Sequence, residues 1–226
     1  MIKEDKHDIC AVLTGDIVKS AKLDPVNLKL VIQNIKDGQA RFNITYPGAM
    51  IGQLDIFSGD SWQVLMEYKH LSFRAVLYFR AMVKAVKGLN VDTRIALAWG
   101  RIDESTINPE RISESTGEAF TLSGRALAEM DKSRRLIMKL PDAVVKNKLN
   151  DYVFLSYALL LIEEITNKWT EKQAEAIIPA LLGVKQKAIA AELGLVQSTV
   201  NKRLNGAGWK NLSQYLDFIE YHLKDR

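Results

Sequence analysis

The chain has a single cysteine among its 226 residues, which excludes an internal disulfide and suits a reducing compartment, the cytoplasm. Cys10 stands in an apolar run at 9–13, the setting of a small core residue. Histidine is nearly as scarce. His7, His70 and His222 are scattered and none lies near a cysteine or an acidic cluster at ligand spacing. That argues against a zinc site, and against a serine triad built on Ser20, Ser58 or Ser61. Long apolar runs are missing too. The most apolar stretch, 153–162, is far shorter than the roughly 20 residues a membrane helix needs, and residues 1–8 are too polar for a secretory leader. Repeats and low-complexity tracts are absent. The formal charge of +4 is compatible with a polyanionic partner without demanding one. A soluble protein remains, 47% hydrophobic, with material for one large core or two modest ones.

The pattern of what is present divides along the chain. The run 9–13 reads as a buried strand closed by a tight turn at Thr14-Gly15-Asp16. Leu30, Val31 and Ile35 have helical spacing within 27–42. Two short apolar runs, 53–57 and 62–66, flank Ser58-Gly59-Asp60-Ser61, a hairpin signature. A helix with one apolar face follows over 73–86, then a strand at 93–99, a helix over 117–130 and a strand at 135–140. This order predicts an α+β domain with helices stacked on a mostly antiparallel sheet. Trp62 and Trp99 fall at strand positions and read as core. Lys132, Arg134 and Arg135 read as a solvated helix end.

From residue 151 onward the pattern is helical only. The helix at 151–167 is apolar nearly all round, which predicts burial against the first domain or a second subunit. Thr170 is placed to cap a helix over 171–182, and Asn211 to cap the last one. Trp209 reads as an anchor for that last helix. The expected division is therefore an α+β domain at 1–145, a connecting or dimerisation helix at 146–167 and a third unit at 168–226. That third unit carries nine Lys/Arg against six Asp/Glu.

Within it, the stretch from Gln186 to Leu204 reads as a helix-turn-helix. Ala190 is small where two helices must cross, and Gly194 can take the left-handed conformation that stops the first of them. Ile189, Leu193, Leu195, Val200 and Leu204 supply apolar contacts that fix the second helix at an angle. Its outer face offers Gln197, Ser198, Thr199, Asn201, Lys202 and Arg203, with no acid among them. Such side chains donate to phosphates and read base edges in a major groove. Ser198, Thr199 and Asn201 are expected at bases, and Lys185, Lys187, Lys202 and Arg203 at phosphates. Duplex DNA is thus the expected partner. One such unit makes few contacts, so a homodimer on two half-sites is expected as well.

Gly15-Asp16-Ile17 and Ser58-Gly59-Asp60-Ser61 each present an aspartate beyond a strand. Gly-Asp pairs are common turn formers, and that is the plain alternative for each. The order of the two nevertheless resembles the metal site of class III nucleotidyl cyclases and their GGDEF relatives. Arg94-Ile95-Ala96-Leu97-Ala98-Trp99-Gly100 resembles a later strand of that fold. The segment from Gly117 to Leu127 resembles its late helix, with Arg125 on the arginine position. Thr121 stands where that family has Asn, and Ile56 where a base-reading Lys often sits. The resemblance implies a ferredoxin-like, nucleotidyl cyclase-like sheet, Mg²⁺ on Asp16 and Asp60, and a nucleotide steadied by Arg125.

Gly15-Asp16-Ile17-Val18-Lys19-Ser20, Gly59-Asp60 and Trp169-Thr170-Glu171-Lys172-Gln173, followed by the C-terminal helices, resemble the SatD family of bacterial proteins over nearly the whole chain. That resemblance implies a DNA-binding transcription regulator whose first domain dimerises or senses a nucleotide or metal. The alternative is a metal-dependent nucleotidyl cyclase or nucleotidyltransferase with accessory DNA binding.

Overall fold

The computed structural model describes residues 9–142, 145 and 149–224. It is an α+β structure, a five-stranded sheet followed by helices. The first part runs β1 (Cys10–Ile17), α1 (Pro25–Thr45), β2 (Met50–Phe57), β3 (Ser61–Met66), α2 (Ser72–Lys84), β4 (Thr93–Gly100), α3 (Glu118–Glu129) and β5 (Leu136–Lys139). The strand order is β2-β3-β1-β4-β5; all neighbours are antiparallel except β4 and β5, which are parallel.

Asp24 opens α1 by accepting the amides of Val26 and Asn27, and Pro25 supplies a pre-set first turn. The hairpin falls where the turn residues place it. β1 is longer than the apolar run foretells: Thr14, Gly15 and Asp16 continue the strand instead of turning. The reason is central position. Each of those residues pairs with β3 on one side and β4 on the other, so the ladder overrides local turn preference. Gly15 is required for another reason. A Cβ there would lie 2.4 Å from the ring of Trp62 and 2.8 Å from the carbonyl oxygen of Arg94.

Side-chain alternation along β1 separates two cores. Ala11, Leu13 and Ile17 join Val31, Ile35 and Phe42 of α1 and the α2 residues. Cys10 and Val12 face the other way, toward Ala119 and Phe120 of α3. Trp62 and Trp99 are core, their indoles donating to Thr93 Oγ1 and Ser72 Oγ.

The second part is α4 (Leu149–Asn167), α5 (Glu171–Leu181), α6 (Gln186–Glu192), α7 (Gln197–Gly206) and α8 (Trp209–Leu223). Its buried residues belong to the same continuous cluster as the sheet and α1. Helix α2 lies between the two parts, against the sheet and against α5. Every residue from Ser72 to Val83 is therefore buried, not one face alone as its pattern foretells. The two arginines on its second face are satisfied inside. Arg74 donates to Glu220 Oε1 at 2.6 Å and to the Leu181 carbonyl at 2.9 Å. Arg80 donates to both carboxylate oxygens of Asp92 and to Thr166 and Asn167.

Other expectations change for similar reasons. Arg134 is bound to buried Glu163 of α4 at 2.9 Å, so the run from Lys132 to Arg135 is not simply a solvated helix end. Helix α8 begins at Trp209 with Gly208 as its cap, and Asn211 lies inside it. Thr170 does cap α5, in a reciprocal capping box with Gln173. No helix among the described residues is long and apolar enough to cross a membrane.

Candidate functional site

Two places carry the residues singled out by sequence. The first is on the α3 side of the sheet. Even-numbered residues of β1 point there, so Thr14 and Asp16 reach the same cavity of about 450 Å³ as Phe57, Gln63, Arg94, Ser113, Gly124, Leu127 and Ala128. Thr14 Oγ1 receives the Gln63 amide at 2.7 Å and shares a hydrogen bond with Ser123 Oγ at 2.8 Å. Asp16 and Arg94 are cross-strand partners. Arg94 Nε donates to Asp16 Oδ1 at 3.0 Å, and Nη2 donates to Oδ2. This two-pronged hydrogen bond raises the Arg94 pKa; burial opposes it, and the charges of Asp16 and Asp60 add to it.

Asp60 lies in the turn between β2 and β3, beside Ser61, the cross-strand partner of Asp16. Its carboxylate accepts the Ser20 hydroxyl, and its carbonyl accepts the Ile17 amide at 3.2 Å. The two aspartates are thus brought to one end of β1. Arg125 is not brought to them. It is exposed on α3, on the same side as Thr121 one turn earlier, while Gly124 and Ala128 line the cavity. A third carboxylate lies beside the cleft, unforeseen. Asp55 is buried, accepts the amide and hydroxyl of Ser113, and lies 3.5 Å from Arg111.

The metal implied by resemblance does not fit this arrangement. Mg²⁺ requires near-octahedral oxygen coordination, and both oxygens of Asp16 are already engaged by Arg94. Among the described residues, no group of three or more His, Cys, Asp or Glu side chains converges at metal-binding distance.

Arg94 is the residue that sequence reading passed over. Strand alternation puts it on the face shared by Ala96 and Ala98, and a charge on a covered strand face calls for an acid opposite. That was the available signal; the register that supplies Asp16 was not.

The second place is the pair α6 and α7. Leu195 N donates to the Ala190 carbonyl at 2.8 Å and Gly194 N to the Ala191 carbonyl at 3.3 Å, while Gly194 takes φ +64°. These two bonds form a Schellman motif, which ends α6 and turns the chain. Val200 and Leu204 anchor α7 inward. Gln197, Ser198, Asn201 and Lys202 are exposed, as are Lys185 and Lys187, and Thr199 is half-buried.

Arg203 departs from expectation. Its guanidinium donates to Glu175 Oε2 at 2.6 Å and to the Lys172 carbonyl, and its side chain is only 16% exposed. It lies beside Leu204, on the side of α7 that packs against α5, so it closes an internal contact. Trp169 and Gln173 support the same corner. The Trp169 indole donates to the Ala207 carbonyl at 2.8 Å, and Gly206 passes so close to Gln173 that a Cβ would lie 2.7 Å from its amide.

No protein-family model and no curated protein matches the chain. Among solved structures, the guanylyl cyclase Cya2 is similar over 61% of this chain and 77% of its own, at 13% identity and a TM-score of 0.41.

Proposed function

We propose that the chain is a transcription regulator that binds duplex DNA through α6 and α7, acting as a helix-turn-helix with α7 in the major groove. The observation that carries this reading is the outer face of α7. Four polar side chains, Gln197, Ser198, Asn201 and Lys202, are exposed on a helix anchored from behind by Val200 and Leu204. No acid interrupts that face, and Lys185 and Lys187 are exposed at the start of α6. Gln and Asn suit adenine edges, and lysines suit phosphates. In this reading the sheet, a ferredoxin-like and cyclase-like platform, serves dimerisation or ligand sensing.

A homodimer is part of the proposal. Phe154, Tyr157 and Leu161 form one stripe on α4 and are 79%, 63% and 71% exposed, which supports α4 as the surface facing a second copy. The half-sites would then lie one or more helical turns apart on the DNA.

The test is fluorescence anisotropy with a mixed-sequence duplex over a range of salt. Lys202→Ala and Lys187→Ala should each weaken binding and reduce the slope of log K against log salt by about 0.9. Unchanged slopes in both would overturn the reading. In sedimentation equilibrium, Leu161→Glu should yield monomers if α4 pairs.

A further inference from the structure

The end of β1 beside the cleft carries two carboxylates, Asp16 and Asp60, yet a side chain already engages one of them where a cation would bind. Arg94 engages both oxygens of Asp16, one through Nε and the other through Nη2. The pairing is set by the sheet, because Asp16 and Arg94 face each other in the antiparallel register of β1 and β4. It does not depend on a loop that could swing away. Both side chains are largely shielded, at 18% and 24% exposed, so solvent screens the pair only partly. Asp60 closes the same end of β1, held there by the Ser20 hydroxyl and by its own carbonyl on Ile17.

We infer that Arg94 is a built-in cation of this cleft, engaging the strand carboxylate at the end of β1 that the hairpin carboxylate also reaches, where a divalent metal would have to bind, so that the cleft is a metal-independent site. Two terms oppose metal entry. A divalent ion would have to displace a two-pronged, charge-assisted pair fixed by strand register. It would also arrive beside a guanidinium that cannot lose its proton, so the positive charges would repel. Removing Arg94 reverses both terms, leaving Asp16 and Asp60 as two hard oxygen donors at one strand end. This inference is independent of DNA binding, and neither outcome there bears on it.

The experiment uses the full chain and Mn²⁺ alone, with bound metal read by electron paramagnetic resonance. Wild type and Asp16→Asn should show the same weak, non-specific Mn²⁺ uptake. Arg94→Ala should bind Mn²⁺ on the order of tenfold more tightly than wild type, and Arg94→Ala/Asp60→Asn should lose that gain. The inference is overturned if wild type holds Mn²⁺ at a site that Asp16→Asn or Asp60→Asn removes. It is equally overturned if folded Arg94→Ala gains nothing. Circular dichroism checks the fold. Should Arg94→Ala not fold, Arg94→Gln carries the same expectation. Should neither fold, wild type against Asp60→Asn decides: equal uptake supports the built-in cation, and a lost site refutes it.

Discussion

Replacing Arg80 with methionine tests how the helical part is held to the sheet. Arg80 is fully buried and donates four hydrogen bonds: to Asp92 at 3.0 and 2.8 Å, Thr166 at 2.6 Å and Asn167 at 2.7 Å. The last two acceptors belong to the end of α4 and Asp92 leads into β4, so one side chain ties both parts to α2. Methionine keeps much of the apolar stem but leaves the Asp92 carboxylate without its main partner. Removing one member of a buried pair costs about 3–5 kcal/mol. Lys84 and Arg135 still face Asp92 at 3.5 and 3.7 Å, which places the expected loss near the lower bound, about 3 kcal/mol. For a chain of this length that is a fall in melting temperature of roughly 6–12 °C, measurable by scanning calorimetry. Hydrogen exchange should rise in α4 and α5 before it rises in β1.

The acid side supplies a check of sign. Burial pushes the Asp92 carboxyl up, but the Arg80 hydrogen bonds and charge, with Lys84, outweigh it and hold its pKa below 3.8. The folded value lies below the unfolded one, so this stabilisation is present above about pH 3.8 and is lost as pH falls through the folded value. The gap between wild type and Arg80→Met should therefore narrow as pH falls below the ordinary carboxylate range. A melting temperature within about 2 °C of wild type at neutral pH, or a gap that widens in acid, would refute this account of the junction.

Three further outcomes follow from single contacts. Gly15→Ala drives a Cβ into the Trp62 ring and the Arg94 carbonyl, and should cost about 3 kcal/mol or more in urea unfolding; a loss under about 1 kcal/mol would mean the strands part easily. The Cys10 thiol is 2% exposed and its pKa is pushed up to about 11, first by burial and then by Glu67 and Glu104. A colourimetric disulfide reagent near pH 8 should therefore find no reactive thiol in the native chain and one after unfolding, and rapid native labelling would contradict the buried placement. Arg203→Ala should lower stability through loss of Glu175 while changing the salt slope of DNA binding far less than Lys202→Ala; equal slopes would mean that Arg203 leaves Glu175 on DNA.

Local pattern carried the element order far. Period and turn chemistry were enough for the hairpin around Gly59-Asp60, the α5 cap at Thr170 and the stop of α6 at Gly194, because each depends on neighbours within a few residues. Local pattern failed where distant segments compete for the backbone. Thr14-Gly15-Asp16 is turn chemistry by itself, but two flanking strands make it part of a ladder. Helix α2 reads as having one apolar face, yet its other face is buried too, covered by helices about a hundred residues later.

The candidate sites divide in the same way. The sequence alone determined that α7 would be anchored by Val200 and Leu204 with polar side chains opposite, since helical periodicity decides which residues share a face. It also put Asp60 in the hairpin turn, but it misplaced Asp16, which belongs to β1 itself. What those groups meet depends on how distant segments pack. Arg94 reaches Asp16 through strand register, Arg203 turns inward to Glu175, Arg125 stays outside the cavity, and Arg80 is buried among Asp92, Thr166 and Asn167. A charge has no period that names its partner. Its role depends on which carboxylate the packing brings within about 3 Å, and that pairing is a property of the whole fold.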